Sequence, residues 1–283
     1  MNQITFRLNG NPITTLVKPS LTLRDLLRAE GCFSVRFGSD DGSTGAATVL
    51  VDGVPVSGDV VLAAQVDGRE ITTLEGLEAA DGSLHPIQQA FMVTGALQSG
   101  YSAGAMILVT KALLERNPNP SEAEIRDALS GILDRETAYV KVIEAVQRAA
   151  VRMRRDSTEP FRPLYLTPVT NGRDPAAYQP VIPAPGVSPA VPRVVPSPDV
   201  PAMAVVGKPE IKVDALKLVK GNPAFADDVE MRGMLTARVL RSPHAHARIL
   251  DIDDSEARAL PGVRDVIHYK NTRRIMYASG GQS

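Results

Sequence analysis

Cysteine is nearly absent from this chain of 283 residues, where Cys32 stands alone. One thiol excludes an internal disulfide, and a single thiolate cannot hold a metal cluster. Cys32 sits in the apolar run before Val35, so it is expected to be a buried small hydrophobe. An excess of one charge is also lacking, since Lys and Arg number 31 and Asp and Glu 32. That balance leaves no basic field for nucleic acid or an anionic membrane. No run of about 18 apolar residues is present to span a bilayer. The opening residues, MNQITFRLNG, carry no basic segment followed by an apolar one, so no secretory signal is expected. These absences predict a soluble cytoplasmic protein, and the length suffices for two small domains with separate cores.

What is present is organised around Gly38 to Gly58, GSDDGSTGAATVLVDGVPVSG. A glycine-rich loop feeds an apolar strand, Thr48 to Val51, and Asp52-Gly53 turns the chain into a return strand from Val54. The loop holds adjacent aspartates, Asp40 and Asp41, among glycines that let backbone N–H groups converge on something small and negative. Before it, Ile4, Phe6 and Leu8 alternate with polar residues, and Asn9-Gly10 turns into Ile13 to Val17. Ser20 and Thr22 can cap a helix with an apolar face of Leu23, Leu26 and Leu27. Beyond the loop, a second hairpin with Val60 to Ala63 and a final strand around Ile71 to Leu74 are expected. Two hairpins around one helix make a β-grasp pattern over residues 1–78.

From residue 79 to about 155 the rhythm is helical. Pro86 to Phe91 opens one helix, and Met106, Leu108, Ala112 and Leu113 run along a second until Asn117-Pro118-Asn119-Pro120 stops it. Ser121 and Glu124 form a capping box ahead of Ile125, Leu129 and Ile132. Val140, Val142, Ile143, Val146 and Ala149 mark the last helix. Twelve of the chain's 22 prolines then fall between Pro160 and Pro201, which predicts an extended tether over residues 156–205.

These stretches resemble the iron–sulfur component of the molybdenum hydroxylases, the xanthine dehydrogenase and aldehyde oxidase family. The glycine loop is similar to a plant-type 2Fe–2S ferredoxin loop, whose cysteine spacing falls on Ser39, Thr44, Ala47 and Gly58. Gln98-Ser99-Gly100-Tyr101-Ser102 resembles the family's Gln-Cys-Gly-Tyr-Cys. Leu133-Asp134-Arg135-Glu136-Thr137-Ala138-Tyr139 resembles its Leu-Cys-Arg-Cys-Thr-Gly-Tyr. The second set of positions is thus Ser99, Ser102, Asp134 and Glu136, and Ala138 stands in place of a glycine. Ile71 to Leu77 is close to the family's exit from the first domain. The implied fold class is α+β: a ferredoxin-like β-grasp domain, a four-helix domain, a proline-rich linker and a truncated α/β hammerhead segment over 206–283. That last part rests on Ser242-Pro243-His244-Ala245-His246-Ala247-Arg248 and Leu260-Pro261-Gly262-Val263, which look like the opening of the molybdenum-binding component.

The resemblance implies two 2Fe–2S clusters, molybdopterin and often FAD in the family, with molybdenum-binding and flavin components as partners. In this chain none of the eight ligand positions carries a thiol, so no cofactor and no catalytic residue is expected. Hydroxyls stay protonated at neutral pH, and carboxylates suit hard cations instead of iron–sulfur cores. Asp134 and Glu136 are expected to keep a vacated polar loop solvated. His244 and His246 share a face of an expected strand, but two imidazoles make an incomplete metal site. Three functions remain open: a cluster-free structural and docking variant, a component of a working molybdenum hydroxylase that passes electrons, and an assembly module. Whether the chain is part of an enzyme is left open with them.

Overall fold

Alternation of apolar and polar residues produces the first strand pair. β1 (Asn2–Leu8) buries Ile4, Phe6 and Leu8 and pairs antiparallel with β2 (Asn11–Val17). Asn9 and Gly10 between them both adopt positive φ, as a two-residue hairpin turn of this hand requires. The same chemistry recurs at Asp52-Gly53, which joins β3 (Thr48–Val51) to β4 (Val54–Ser57). β5 (Glu70–Thr72) runs parallel to β1 and antiparallel to β3, so the sheet has the order β2-β1-β5-β3-β4. Helix α1 (Leu23–Ala29) is capped by Thr22, whose hydroxyl accepts from the Asp25 N–H. Its Leu23, Leu26 and Leu27 join Phe6, Val49 and Ile71 in one buried cluster. This is a computed structural model, and it describes residues 1–155 and 210–273. The expected proline tether, 156–205, lies outside the described residues.

Two expected strands take other forms. Val60 to Ala63 does not make a second hairpin: Leu62 forms an isolated bridge to Thr22, and Ala63–Val66 is a 3-10 turn. The final strand ends at Thr72, after which Leu74–Leu77 turns as 3-10 helix to deliver the chain to the helical part. Ala63 and Val66 are buried with α1 and the sheet, whereas Leu74 and Leu77 are buried in the helical cluster. Inward-facing side chains on a turn satisfy the same apolar pattern as a strand.

The helices are α2 (Pro86–Thr94), α3 (Ala103–Arg116), α4 (Glu122–Leu129) and α5 (Val140–Arg155). Ser121 and Glu124 make the reciprocal cap at the start of α4. Phe91, Met106, Ile107, Ile125, Val142 and Val146 share a second buried cluster, while Val140 at the head of α5 is exposed. Residues 210–229, expected to open the third segment, pack with the first 155 as one compact unit. They contain α6 (Ala215–Val219), whose Ala215 and Val219 are fully buried in the helical cluster.

Residues 230–283 cluster as a separate unit. Its described part has one short helix, α7 (Ser255–Ala259), and no strand. His244 and His246 therefore do not share a strand face; both are exposed in an irregular bend. A strand needs a neighbour to receive its backbone hydrogen bonds, and the described residues of this unit supply none. Among the described residues no helix is long and apolar enough to cross a membrane.

Cys32 is 4% exposed, and burial, aided by the Glu75 charge, pushes its thiol up to about 12. At pH 8 native Cys32 should resist a thiol-modifying reagent at least about a hundredfold longer than the urea-unfolded chain. Mass spectrometry of timed samples reads this directly, and rapid native labelling would mean that the first core is open.

Candidate functional site

Two short segments far apart in sequence, 98–102 and 134–139, meet at the head of α3. Glu136 lies between them and is 2% exposed. Its carboxylate accepts from the backbone N–H groups of Gln98 (2.5 Å), Ser99 (2.9 Å) and Gly100 (2.6 Å), and from the Ser99 hydroxyl (2.5 Å). Successive N–H groups converging in a turn form a concavity for an anion, and here the chain's own carboxylate occupies it. Gly100 has φ +74°, which lets its N–H face inward. Alongside, the Ser102 hydroxyl donates to Asp134 Oδ2, while Asp134 Oδ1 accepts from the Arg135 and Glu136 N–H groups. The Asp134 N–H donates to the Tyr139 hydroxyl (2.9 Å), which in turn donates to the Ile132 carbonyl (2.5 Å).

All four residues of the second set are thus brought together, in two crossed serine–carboxylate pairs: Ser99 with Glu136 and Ser102 with Asp134. Solvated charges were expected here, and burial overturns that for Glu136. The pairing was missed because it spans 32 and 37 residues of sequence. A signal was available in the substitution of an acceptor on one segment against a donor on the other.

The turn that carries Glu136 is strained. Thr137 (φ 46°), Ala138 (φ 48°) and Tyr139 (φ 63°) all adopt the left-handed region. Only glycine enters that region without a steric cost. The Thr137 N–H donates to the Gln98 side chain at 2.7 Å, which ties the strained turn to the opposite segment.

The first set is arranged differently. Ser39 Oγ accepts weakly from the Ser43 hydroxyl and the Thr44 N–H at 3.3 and 3.4 Å. Thr44 turns its hydroxyl toward Gly38, where a Cβ would lie only 1.8 Å from Oγ1. Ala47 is fully buried and contributes a methyl group. At Gly58 a Cβ would lie 2.9 Å from the Ala47 carbonyl and 3.3 Å from the Arg24 amide nitrogen. A larger side chain at 58 would therefore press on the backbone of Ala47, just before β3, and of Arg24 in α1.

The neighbouring Asp59 is the side chain that the fold encloses at this point. Its side chain is fully buried, and Oδ1 accepts from Arg24 at 2.6 Å. Burial pushes the Asp59 carboxyl up, the Arg24 guanidinium pulls it back, and the charge of Asp40 in the loop adds to the upward push. Its Oδ2 has no hydrogen-bond partner, nor do the buried hydroxyls of Thr44 and Ser57. The lone acid in the run Val56 to Ala63 was the sequence signal for it. The two sets share a wall, since the Leu133 N–H donates to the Thr44 carbonyl at 2.9 Å and the Tyr101 hydroxyl to the Phe37 carbonyl at 2.7 Å.

Residues 73–147 match the family model of a 2Fe–2S binding domain, and residues 220–282 match the a/b hammerhead domain of aldehyde oxidase and xanthine dehydrogenase. The nicotinate dehydrogenase small FeS subunit of Eubacterium barkeri is 44% identical over 155 residues, which are 54% of this chain and 98% of that subunit. The chain belongs to the xanthine dehydrogenase and aldehyde oxidase family. A probable hypoxanthine oxidase of Escherichia coli is 33% identical over 282 residues, 99% of this chain and 26% of that protein. The chain thus spans about a quarter of the length of that relative. Among solved structures, the aldehyde oxidoreductase from Desulfovibrio desulfuricans superposes with a TM-score of 0.75 at 29% identity, over 96% of this chain and 27% of the other. The second set of residues falls inside the 2Fe–2S binding match; the first set precedes it.

Two substitutions separate the strain in this turn from the hydrogen bonds that hold it. Ala138→Gly should stabilise the chain by about 1 kcal/mol, because glycine takes the left-handed backbone at no steric cost. Glu136→Ala should destabilise it by about 3 kcal/mol, since three inward N–H groups lose their acceptor. Urea midpoints at constant slope check both, and a neutral Glu136→Ala would remove the carboxylate from any structural role.

Proposed function

We propose that this chain is the iron–sulfur portion of a xanthine dehydrogenase-type molybdenum hydroxylase in which both cluster sites have been given over to structure. A 2Fe–2S core is held by thiolates, with imidazole as the attested substitute. The eight expected positions offer serine and threonine hydroxyls, two carboxylates, a methyl group and a hydrogen, and Cys32 is buried elsewhere. These donors do not fit the cluster. The observation that carries the reading is the mutual pairing of Ser99 with Glu136 and Ser102 with Asp134, which consumes the donors at the second site. Electron transfer requires the redox centre itself, so no relay step is assigned to these residues.

What remains to such a shell is to fold and to dock. The hammerhead match over residues 220–282 makes the molybdenum-binding part of the same assembly the proposed docking target, with a flavin component beside it. Neither a nucleic acid nor a membrane is proposed as a partner, given the balanced charge. A cytoplasmic location accords with this reading. In the first site we assign the fourth position to Asp59 in place of Gly58, because its carboxylate is enclosed where a side chain at 58 would not fit.

Iron and acid-labile sulfide measured on the purified full chain should not exceed background, and its visible spectrum should be featureless. Ser99→Cys, Ser102→Cys, Asp134→Cys and Glu136→Cys together should return one cluster, with its colour and its paramagnetic signal on reduction. For the first site, cysteines at 39, 44 and 47 should need a fourth at 59, and one at 58 should not suffice. Stoichiometric iron in the unmodified protein would sink the cluster-free reading.

A further inference from the structure

Residues 212–229 are seated on the first 155 residues by contacts of the kind that hold separate chains together. α6 has five residues, too few to persist alone in water. It is held because Gln88 Nε2, buried, donates to the Val219 carbonyl at 2.7 Å and because Leu218 lies on Gly100. A Cβ at Gly100 would approach Leu218 Cδ1 to 2.6 Å, so the seat is shaped for this side chain. Lys220 reaches Glu78 at 2.7 Å, and Gly221 packs on Glu75.

The second anchor is Asp228, whose side chain is fully buried. It pairs with Arg36, itself 4% exposed, and with Arg28 at 3.2 Å. Its Oδ2 accepts from the Ala224 and Phe225 N–H groups at 2.9 and 3.0 Å. Burial opposes the charge, yet the arginine and these N–H groups hold the carboxyl below its usual range. Phe225 meets Tyr101 edge-on with centroids 5.2 Å apart, and the Arg36 guanidinium lies 4.5 Å from the Phe225 ring. Aromatic and arginine anchors around a desolvated charge pair are the composition of an interface centre.

The small FeS subunit from Eubacterium barkeri is a separate chain, matched over 155 residues, the length of the segment that ends with α5. We propose that residues 212–229 are a docking peptide for the surface formed by Arg28, Arg36, Glu75, Gln88, Gly100 and Tyr101. The contact is then a subunit interface made intramolecular. The covalent connection raises the peptide's local concentration but is not needed for the bond itself. This clasp does not rest on whether the chain binds iron.

The test uses the full chain with a protease site placed between residues 180 and 200 and a tag at the C-terminus. After cutting, the two halves should remain together on size-exclusion chromatography and on the tag resin. A synthetic peptide of residues 210–230 should displace the tagged half. The same peptide with Asp228→Ala should need roughly a hundredfold higher concentration, the cost of leaving a buried arginine unpaired. The peptide comparison leaves the protein unaltered, so misfolding of a variant does not enter. Separation of the halves on cutting, or equal displacement by the two peptides, would overturn the proposal.

Discussion

The carboxylate of Glu136 is the point on which the helical half of this molecule turns. Three backbone N–H groups and a hydroxyl converge on it, and the carboxylate itself is buried. Charge-assisted bonds of this kind are about twice as strong as neutral ones, and removing the acceptor would strand every donor at once. The turn it holds presents Gly100 to Leu218, Tyr101 to Phe37 and Phe225, and Ser102 to Asp134. One side chain therefore fixes the register of the α3 start, the contact between the two cores and the seat for residues 212–229.

The two sets of residues are paired to different degrees, and topology explains why. The first loop runs between β3 and α1, and its far end is already stitched by the Gly58 N–H to Ala47 carbonyl bond and the β3–β4 ladder. The sheet therefore holds this loop without a bond between side chains of the four positions. It tolerates three unpartnered oxygens, on Thr44, Ser57 and Asp59. The second site joins segments more than 30 residues apart with no strand between them. Closing such a loop carries an entropy cost that some contact must offset. Serine–carboxylate pairs make that contact here, where metal–sulfur bonds would make it in a thiolate-lined site.

Local chemistry made much of the fold legible in advance. Asn9-Gly10 and Asp52-Gly53 specify their turns because few other pairs accept positive φ twice in succession. Thr22 and the Ser121–Glu124 box announce helix starts through bonds that span three residues. What was illegible is what depends on distance. Val60 to Ala63 has the pattern of a strand, yet it pairs only through the isolated Leu62–Thr22 bridge and turns instead. Glu136 reads as a solvated charge until the 98–100 turn is folded against it. Gly58 and Asp59 sit side by side in the sequence, and only the fold shows that a Cβ at 58 would press on backbone while the Asp59 side chain is enclosed. The 212–229 segment gave no sign of its destination, since its partners lie more than 100 residues earlier.

The strained turn at Thr137, Ala138 and Tyr139 bears on how this site arose. A backbone that must pass through the left-handed region three times is suited to a sequence with glycine near its middle, and the family pattern has one where Ala138 stands. The chain retains that path although alanine makes it costly. Tyr139 explains the persistence, because its hydroxyl bridges the Asp134 N–H and the Ile132 carbonyl and can do so only if the turn keeps its course. The Glu136 carboxylate imposes the same demand from the other side. The course of this turn is thus held by hydrogen bonds from both sides, and Glu136 and Tyr139 keep its strain in place.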